Sequence, residues 1–99
     1  MPNVQQILSV HIRTREKVLY DGQALAVTSN DSSGMFDILP QHTNFISIIR
    51  DLIIIRKLDG TKEVFKLEQG VMKVVNNEVH AYLGVVHSTL LEKNANLTS

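Results

Sequence analysis

Four histidines are the residues here with the widest chemical repertoire: His11, His42, His80 and His87. Imidazole can shuttle a proton or hold a metal ion. His11 and His80 fall inside alternating segments, on the less apolar side, where a solvated sheet histidine is the plain reading. His87 opens the polar C-terminal stretch, and His42 follows Pro40 in a loop, where a side chain is free to meet a partner. No two histidines lie at ligand spacing along the chain and no carboxylate cluster sits beside them, so no metal site is expected. The absence of cysteine removes thiolate ligands, thiol nucleophiles and disulfides. Ser32-Ser33-Gly34 has no following helix to hold a phosphate or to form a nucleophile elbow. Asp37, between Phe36 and Ile38, reads as an outward strand residue. No catalytic residue and no cofactor are expected.

The elements that carry these residues are strands. Leu8, Val10 and Ile12 alternate with Ser9, His11 and Arg13, the period of a half-buried strand. Further short strands are expected at Lys17–Tyr20, Ala24–Ser29, Met35–Leu39, Asn44–Ile49, Leu52–Lys57, Lys62–Leu67, Val71–Val75 and Glu78–Val86. Turns are expected at Asp21-Gly22, Asp59-Gly60 and Asn76-Asn77. Pro40 should end its strand, because proline cannot donate to a ladder. Ile54 and Phe36 are expected in the core. About eight to ten short strands with close turns predict an all-β fold, an antiparallel β-sandwich or flattened barrel. Residues 1–86 form that domain. Residues 87–99 are expected to be a short frayed tail, able to form a turn or two of helix around Leu90 and Leu91.

Ninety-nine residues bound this to one domain with a modest core. Ten basic residues balance ten acidic ones, which leaves no electrostatic case for nucleic acid. Five per cent aromatic residues offer no base-stacking platform. The apolar run Leu52-Ile53-Ile54-Ile55 is too short to insert into a membrane. The first residues lack the pattern of a signal or transit peptide, so a cytoplasmic location is expected.

The segment Gly34-Met35-Phe36-Asp37-Ile38-Leu39-Pro40-Gln41-His42 resembles the Gly-x-x-Gly-Ile-Leu-Pro-x-His segment of the epsilon subunit of F-type ATP synthases. Its surroundings agree: Val18-Leu19-Tyr20-Asp21-Gly22 after the first strand, Leu52-Ile53-Ile54-Ile55-Arg56 before Asp59-Gly60, and Gly70-Val71-Met72-Lys73-Val74 before Asn76-Asn77-Glu78-Val79. The likeness covers roughly residues 7–86. Asp37 and Asp51 stand where the family pattern has glycine, Gln69 replaces the first of a glycine pair, and Thr43-Asn44-Phe45 replaces Ala-Pro-Leu. In the family a two-helix C-terminal hairpin that brakes ATP hydrolysis follows the sandwich; this sequence stops about where it would start, so the resemblance implies the sandwich's role and not the hairpin's. The resemblance implies a non-catalytic central-stalk subunit of a proton- or sodium-translocating enzyme, peripheral at the inner face of the cell membrane. Its partners would be the gamma subunit and the membrane rotor-ring (c) subunits. It assigns ring contact to Gly34, Met35, Gln41 and His42, with Asp37 and Thr43 beside them. The competing reading is a free-standing sandwich that binds a protein or small ligand, which needs a pocket with convergent polar groups.

Overall fold

The structure is a computed structural model that describes residues 6–84 and 86–91, with side chains described through residue 84. Its strands are β1 (Leu8–Arg13), β2 (Val18–Ala24), β3 (Ala26–Asp31), β4 (Gly34–Ile38), β5 (Phe45–Arg56), β6 (Lys62–Val75), β7 (Glu78–Leu83) and β8 (Val86–Leu91). They form one hydrogen-bonded path, β2-β1-β7-β6-β5-β3-β4, with β8 on the free part of β6. The β1–β7 pairing is parallel, and the other pairings among the described residues are antiparallel.

That path does not lie flat. Strands sit about 4.8 Å apart, so seven in a row would make a broad plate about 10 Å thick. The molecule measures 34 × 28 × 28 Å, so the sheet is folded over on itself. The long hairpin β5–β6 makes the fold. β6 pairs with β8 through Glu63–Leu67 and with β7 through Gly70–Val75. The β5–β6 register steps from Arg50↔Gln69 to Asp51↔Leu67, which leaves Glu68 as the extra residue of a bulge. The inward side chains of β6 accordingly switch from Phe65 and Leu67 to Met72 and Val74. One half of the sandwich is β2-β1-β7 with the later part of β6 and the start of β5. The other half is β4-β3 with the rest of β5, the start of β6, and β8.

A single core fills the fold. Leu8, Val10 and Ile12 of β1 meet Val27, Ile38, Ile49, Ile53, Ile55, Phe65, Met72, Val74 and Val79, all within a few per cent of full burial. Gly70 is required where β6 leaves the bulge. A Cβ there would lie 2.7 Å from the Tyr82 carbonyl oxygen and 2.9 Å from Leu83 Cδ2. Two turns are built as their sequences predict. Gly60 has φ 89° and closes the β5–β6 hairpin, with Lys57 N–H donating to Thr61 O at 2.8 Å. Asn76 and Asn77 have φ 50° and 66°, the left-handed pair of a type I′ turn between β6 and β7.

Several expectations are corrected. Asn44–Ile49 and Leu52–Lys57 are one strand, as are Lys62–Leu67 and Val71–Val75. Asp51 takes φ 75° without leaving the ladder, and the bulge absorbs Glu68. Asp21 and Gly22 are not a turn, because they pair with His11 and Val10 inside the β1–β2 ribbon. The turn lies at Thr14–Lys17, where Thr14 Oγ1 accepts from the Lys17 amide at 3.3 Å. Ile54 and Phe36 are only half-buried. The inward isoleucines of β5 are Ile53 and Ile55, and Phe36 packs edge-on against Phe45 at 5.9 Å. The backbone around Leu90 and Leu91 is strand β8 rather than helix, so residues 87–91 continue the sheet and only residues 92–99 of the expected tail lie outside the described residues.

Two substitutions test this packing. Ile53→Ala should lower the unfolding free energy by about 2–5 kcal/mol, and Ile54→Ala should lower it less, measured by urea denaturation. Gly70→Ala should cost about 1–3 kcal/mol by the same measurement, since its clash is partly with backbone.

Candidate functional site

The stretch Gly34–His42 makes an edge strand and a tight turn. Asp31 opens the β3–β4 hairpin by accepting from the Ser33 amide through Oδ1 at 2.7 Å. Gly34 follows with φ 121°, a left-sided value that side-chain-bearing residues rarely adopt. β4 then pairs with β3, Thr28 opposite Asp37 and Asn30 opposite Met35. It ends at Ile38, two residues before Pro40. The His42 amide donates to Leu39 O at 3.1 Å, with Pro40 and Gln41 between them. Gln41 has φ 69°, so proline followed by a left-handed residue makes a type II turn.

This turn is anchored from outside. The Gln41 amide donates to Asn77 Oδ1, and the Asn76 amide donates to Asn44 Oδ1 at 2.9 Å. Both anchors come from the β6–β7 turn, so the loop is held across the two halves of the sandwich. His42 is half-buried rather than free. Its ring lies 5.2 Å from that of Phe45, and Nδ1 is 2.7 Å from the Thr43 carbonyl oxygen. Thr43 is exposed.

The expected contact residues separate into two places. Gly34 and Met35 begin β4, whereas Gln41 and His42 lie past its far end. Four residue steps along the strand span roughly 13 Å, so no compact site joins these pairs. What connects them is one face of the edge strand. Met35, Asp37 and Leu39 are all exposed at alternate positions, Met35 at 64% and Leu39 at 54%. Asp37 is fixed on this strip, where its Oδ1 accepts from Thr28 Oγ1 at 2.6 Å. A shallow groove runs beside it, lined by Thr28, Asp37, Leu39, Ile54, Arg56 and Lys62.

A second surface was not singled out from sequence. On the other half, Ile48 pairs with Val71 and Val71 with Tyr82, all three facing outward. Ile48 and Tyr82 are 58% and 59% exposed, and Ile46 lies next along β5, also exposed. This is an apolar row across three strands. The signal for it lies in the alternation: Ile46 and Ile48 occupy outward positions of β5 while Ile49 and Ile53 point inward.

A third grouping is invisible to spacing along the chain. The parallel β1–β7 pairing sets His11 opposite His80, and Glu78 joins them on the same face. Spacing along the chain could not reveal it, because the two strands lie at opposite ends of the sequence.

A folded sheet around one core, with outward faces on two sides, places the molecule among β-sandwich domains. The family described as ATP synthase, Delta/Epsilon chain, beta-sandwich domain, matches residues 7–82, and the chain belongs to that family. The ATP synthase epsilon chain of Sulfurovum is 30% identical over 70 residues, covering 70% of this chain and 55% of its own length. That of Campylobacter lari is 34% identical over 77 residues, covering 77% and 59%. This chain therefore spans somewhat over half the length of the curated relatives it matches. The fold is similar to a chain of the Euglena gracilis mitochondrial ATP synthase OSCP/F1/c-ring structure. There the TM-score is 0.78 at 12% identity, covering 93% of this chain and 57% of that one. It is also similar to a chain of the Tetrahymena thermophila mitochondrial ATP synthase central stalk/c-ring structure, with TM-score 0.63 at 16% identity and coverage of 93% and 73%. No helix among the described residues is long and apolar enough to cross a membrane.

The anchor on the loop is testable. Asn77→Gly keeps the left-handed turn but removes the acceptor for Gln41. Amide hydrogen exchange at Gln41 should become at least several-fold faster, while the β1 and β7 amides keep their protection.

Proposed function

We propose that this chain acts as a non-catalytic, epsilon-type subunit of the central stalk of a rotary ATP synthase. In that role it clamps a gamma-type stalk subunit to the loops of a membrane rotor ring, on the ATP-hydrolysing side of the membrane. The observation that carries the reading is the family match across residues 7–82. The two surfaces fit it. The apolar row Ile48–Val71–Tyr82, with Ile46 beside it, suits a persistent interface, whose centre is apolar and aromatic. It is assigned to gamma. The β4 strip is more polar and lies on the other half of the sandwich. It carries Gly34, Met35 and Asp37 and leads to Gln41, His42 and Thr43, and it is assigned to the ring loops. A broad ring can touch both ends of β4, so the separation of the two residue pairs is compatible with one partner. His42 serves mainly to stiffen the turn against Phe45, while Gln41 and Thr43 are presented outward.

The test is reconstitution of this chain with gamma and rotor-ring subunits. Wild type should co-purify with both. Replacing Ile48 and Tyr82 together by serine should abolish gamma association and leave the melting temperature nearly unchanged, because both side chains are exposed. Replacing Gln41 and His42 together by alanine should weaken ring association or coupling. Failure of wild type to bind either partner, together with a tight small-molecule ligand in calorimetry, would overturn the reading in favour of a free-standing module.

A further inference from the structure

The parallel pairing of β1 with β7 produces a chemical grouping on the same outward face as the apolar row, one register step further along the strands. His11 and His80 are register partners, and their rings stack with centroids 4.8 Å apart and planes 18° apart. Glu78 lies two positions before His80 on the same face, with Oε1 3.1 Å from His80 Nε2. On the other side of β1, Asp21 is the register partner of His11, with Oδ1 2.9 Å from His11 Nδ1. The potential ligand atoms of His11, Glu78 and His80 all lie within 4.8 Å of one another.

We propose that His11, His80 and Glu78 form a binding site for a divalent transition-metal ion of the zinc class. Two imidazoles and one carboxylate are a donor set that zinc and its neighbours accept, whereas calcium and magnesium prefer oxygen ligands alone. The spacing is close to what the ion needs. Two ligands of one tetrahedral zinc, each bonded at about 2.0–2.1 Å, stand about 3.3 Å apart. The His80–Glu78 separation already matches this, and a small swing of the His11 ring brings in the third ligand. Asp21 supplies the remaining element. A carboxylate at Nδ1 holds that nitrogen protonated and turns Nε2 outward with its lone pair available. Lys73, the register partner of His80 on β6, and Arg13, two positions along β1 from His11, are the cations on this face, and Asp21 and Glu78 balance them. Three protein ligands leave one position for water.

The site has a structural consequence. The β1–β2 ribbon joins the rest of the sheet through the β1–β7 pairing. An ion shared by His11 and His80 would staple that ribbon across this seam. The proposal is independent of the stalk reading.

The experiment uses the untagged full chain, calorimetric titration with zinc chloride at neutral pH, and thermal melts in the same buffer. One ion should bind per chain, and the melting temperature should rise with zinc but not with calcium or magnesium. His11→Gln and His80→Gln should each abolish saturable binding. Asp21→Asn should weaken it roughly 10–100-fold, the usual effect of losing the group behind a ligating histidine. His42→Gln and His87→Gln should leave it unchanged. Circular dichroism confirms that each variant is folded, and His80→Gln alone decides if His11→Gln does not fold. Cobalt(II) should show the visible absorption of a nitrogen- and oxygen-ligated ion, lost in His80→Gln. Absence of saturable zinc binding, or binding that persists in His80→Gln, would overturn the proposal.

Discussion

The fold depends on one close approach, the backbone of Gly70 against the Tyr82 carbonyl oxygen. At this point β6 has just absorbed an extra residue and must pass from one partner strand to another. A bulge increases local twist and bends the strand, and a missing Cβ lets the bent strand sit against β7. Without that bend the β5–β6 hairpin would prolong a flat sheet, and Phe65 and Met72 could not share one core. The same bend reverses which parity of β6 faces inward. Val71 therefore points out, as Tyr82 does, while Phe65 and Leu67 point in. The outward apolar row is thus a consequence of the bulge rather than an independent feature.

Departures from the family pattern acquire different physical meanings at this level. Asp51 has φ 75°, a conformation that disfavours side chains by about 1–2 kcal/mol and suits the glycine of the family pattern. Its carboxylate accepts from Asn30 Nδ2 at 3.1 Å, which offsets part of that cost and ties the bend of β5 to β3. Asp37 is different. It sits in regular strand backbone with no positive φ, so nothing local demands glycine, and its side chain is committed to Thr28. Gln69 lies beside the bulge residue Glu68, where an exposed side chain is accommodated, while Gly70 keeps the position that space requires. The substitutions therefore leave the path of the backbone intact and change what its outer surface presents.

Local chemistry was legible wherever it was decided locally. The alternation in β1 identifies its buried side correctly, and Asp59-Gly60 and Asn76-Asn77 form the turns their residue types favour. Asp21-Gly22 shows the limit of that logic: a dipeptide that can turn stays extended when each residue gains a ladder partner in β1. The isoleucine run of β5 shows another, because four consecutive apolar residues carry no period and only the packed register separates Ile53 from Ile54. The His11–His80 pair lay furthest out of reach. Parallel neighbours require a long crossover, and nothing in either segment names the other.

In the proposed role the sandwich must carry force between two partners on different faces, and the hairpin explains how it can. The apolar row lies on the half containing β7, and the β4 strip lies on the half containing β3. β5 and β6 run through both halves without interruption, so the covalent backbone itself spans the load path. Shear between the halves would have to slide Ile49 and Met72 past Ile53 and Phe65 within a close-packed interior. The loop at Gln41 adds a second tie, because Asn77 and Asn44 join it to the β6–β7 turn. The β1–β2 ribbon is attached differently: β1 joins the sheet along one parallel ladder, and β2 passes into β3 through the single residue Leu25, whose amide donates to Arg56 O at 2.8 Å. The parallel ladder is where His11 and His80 meet, so an ion bound there would stiffen the β1 side of that attachment.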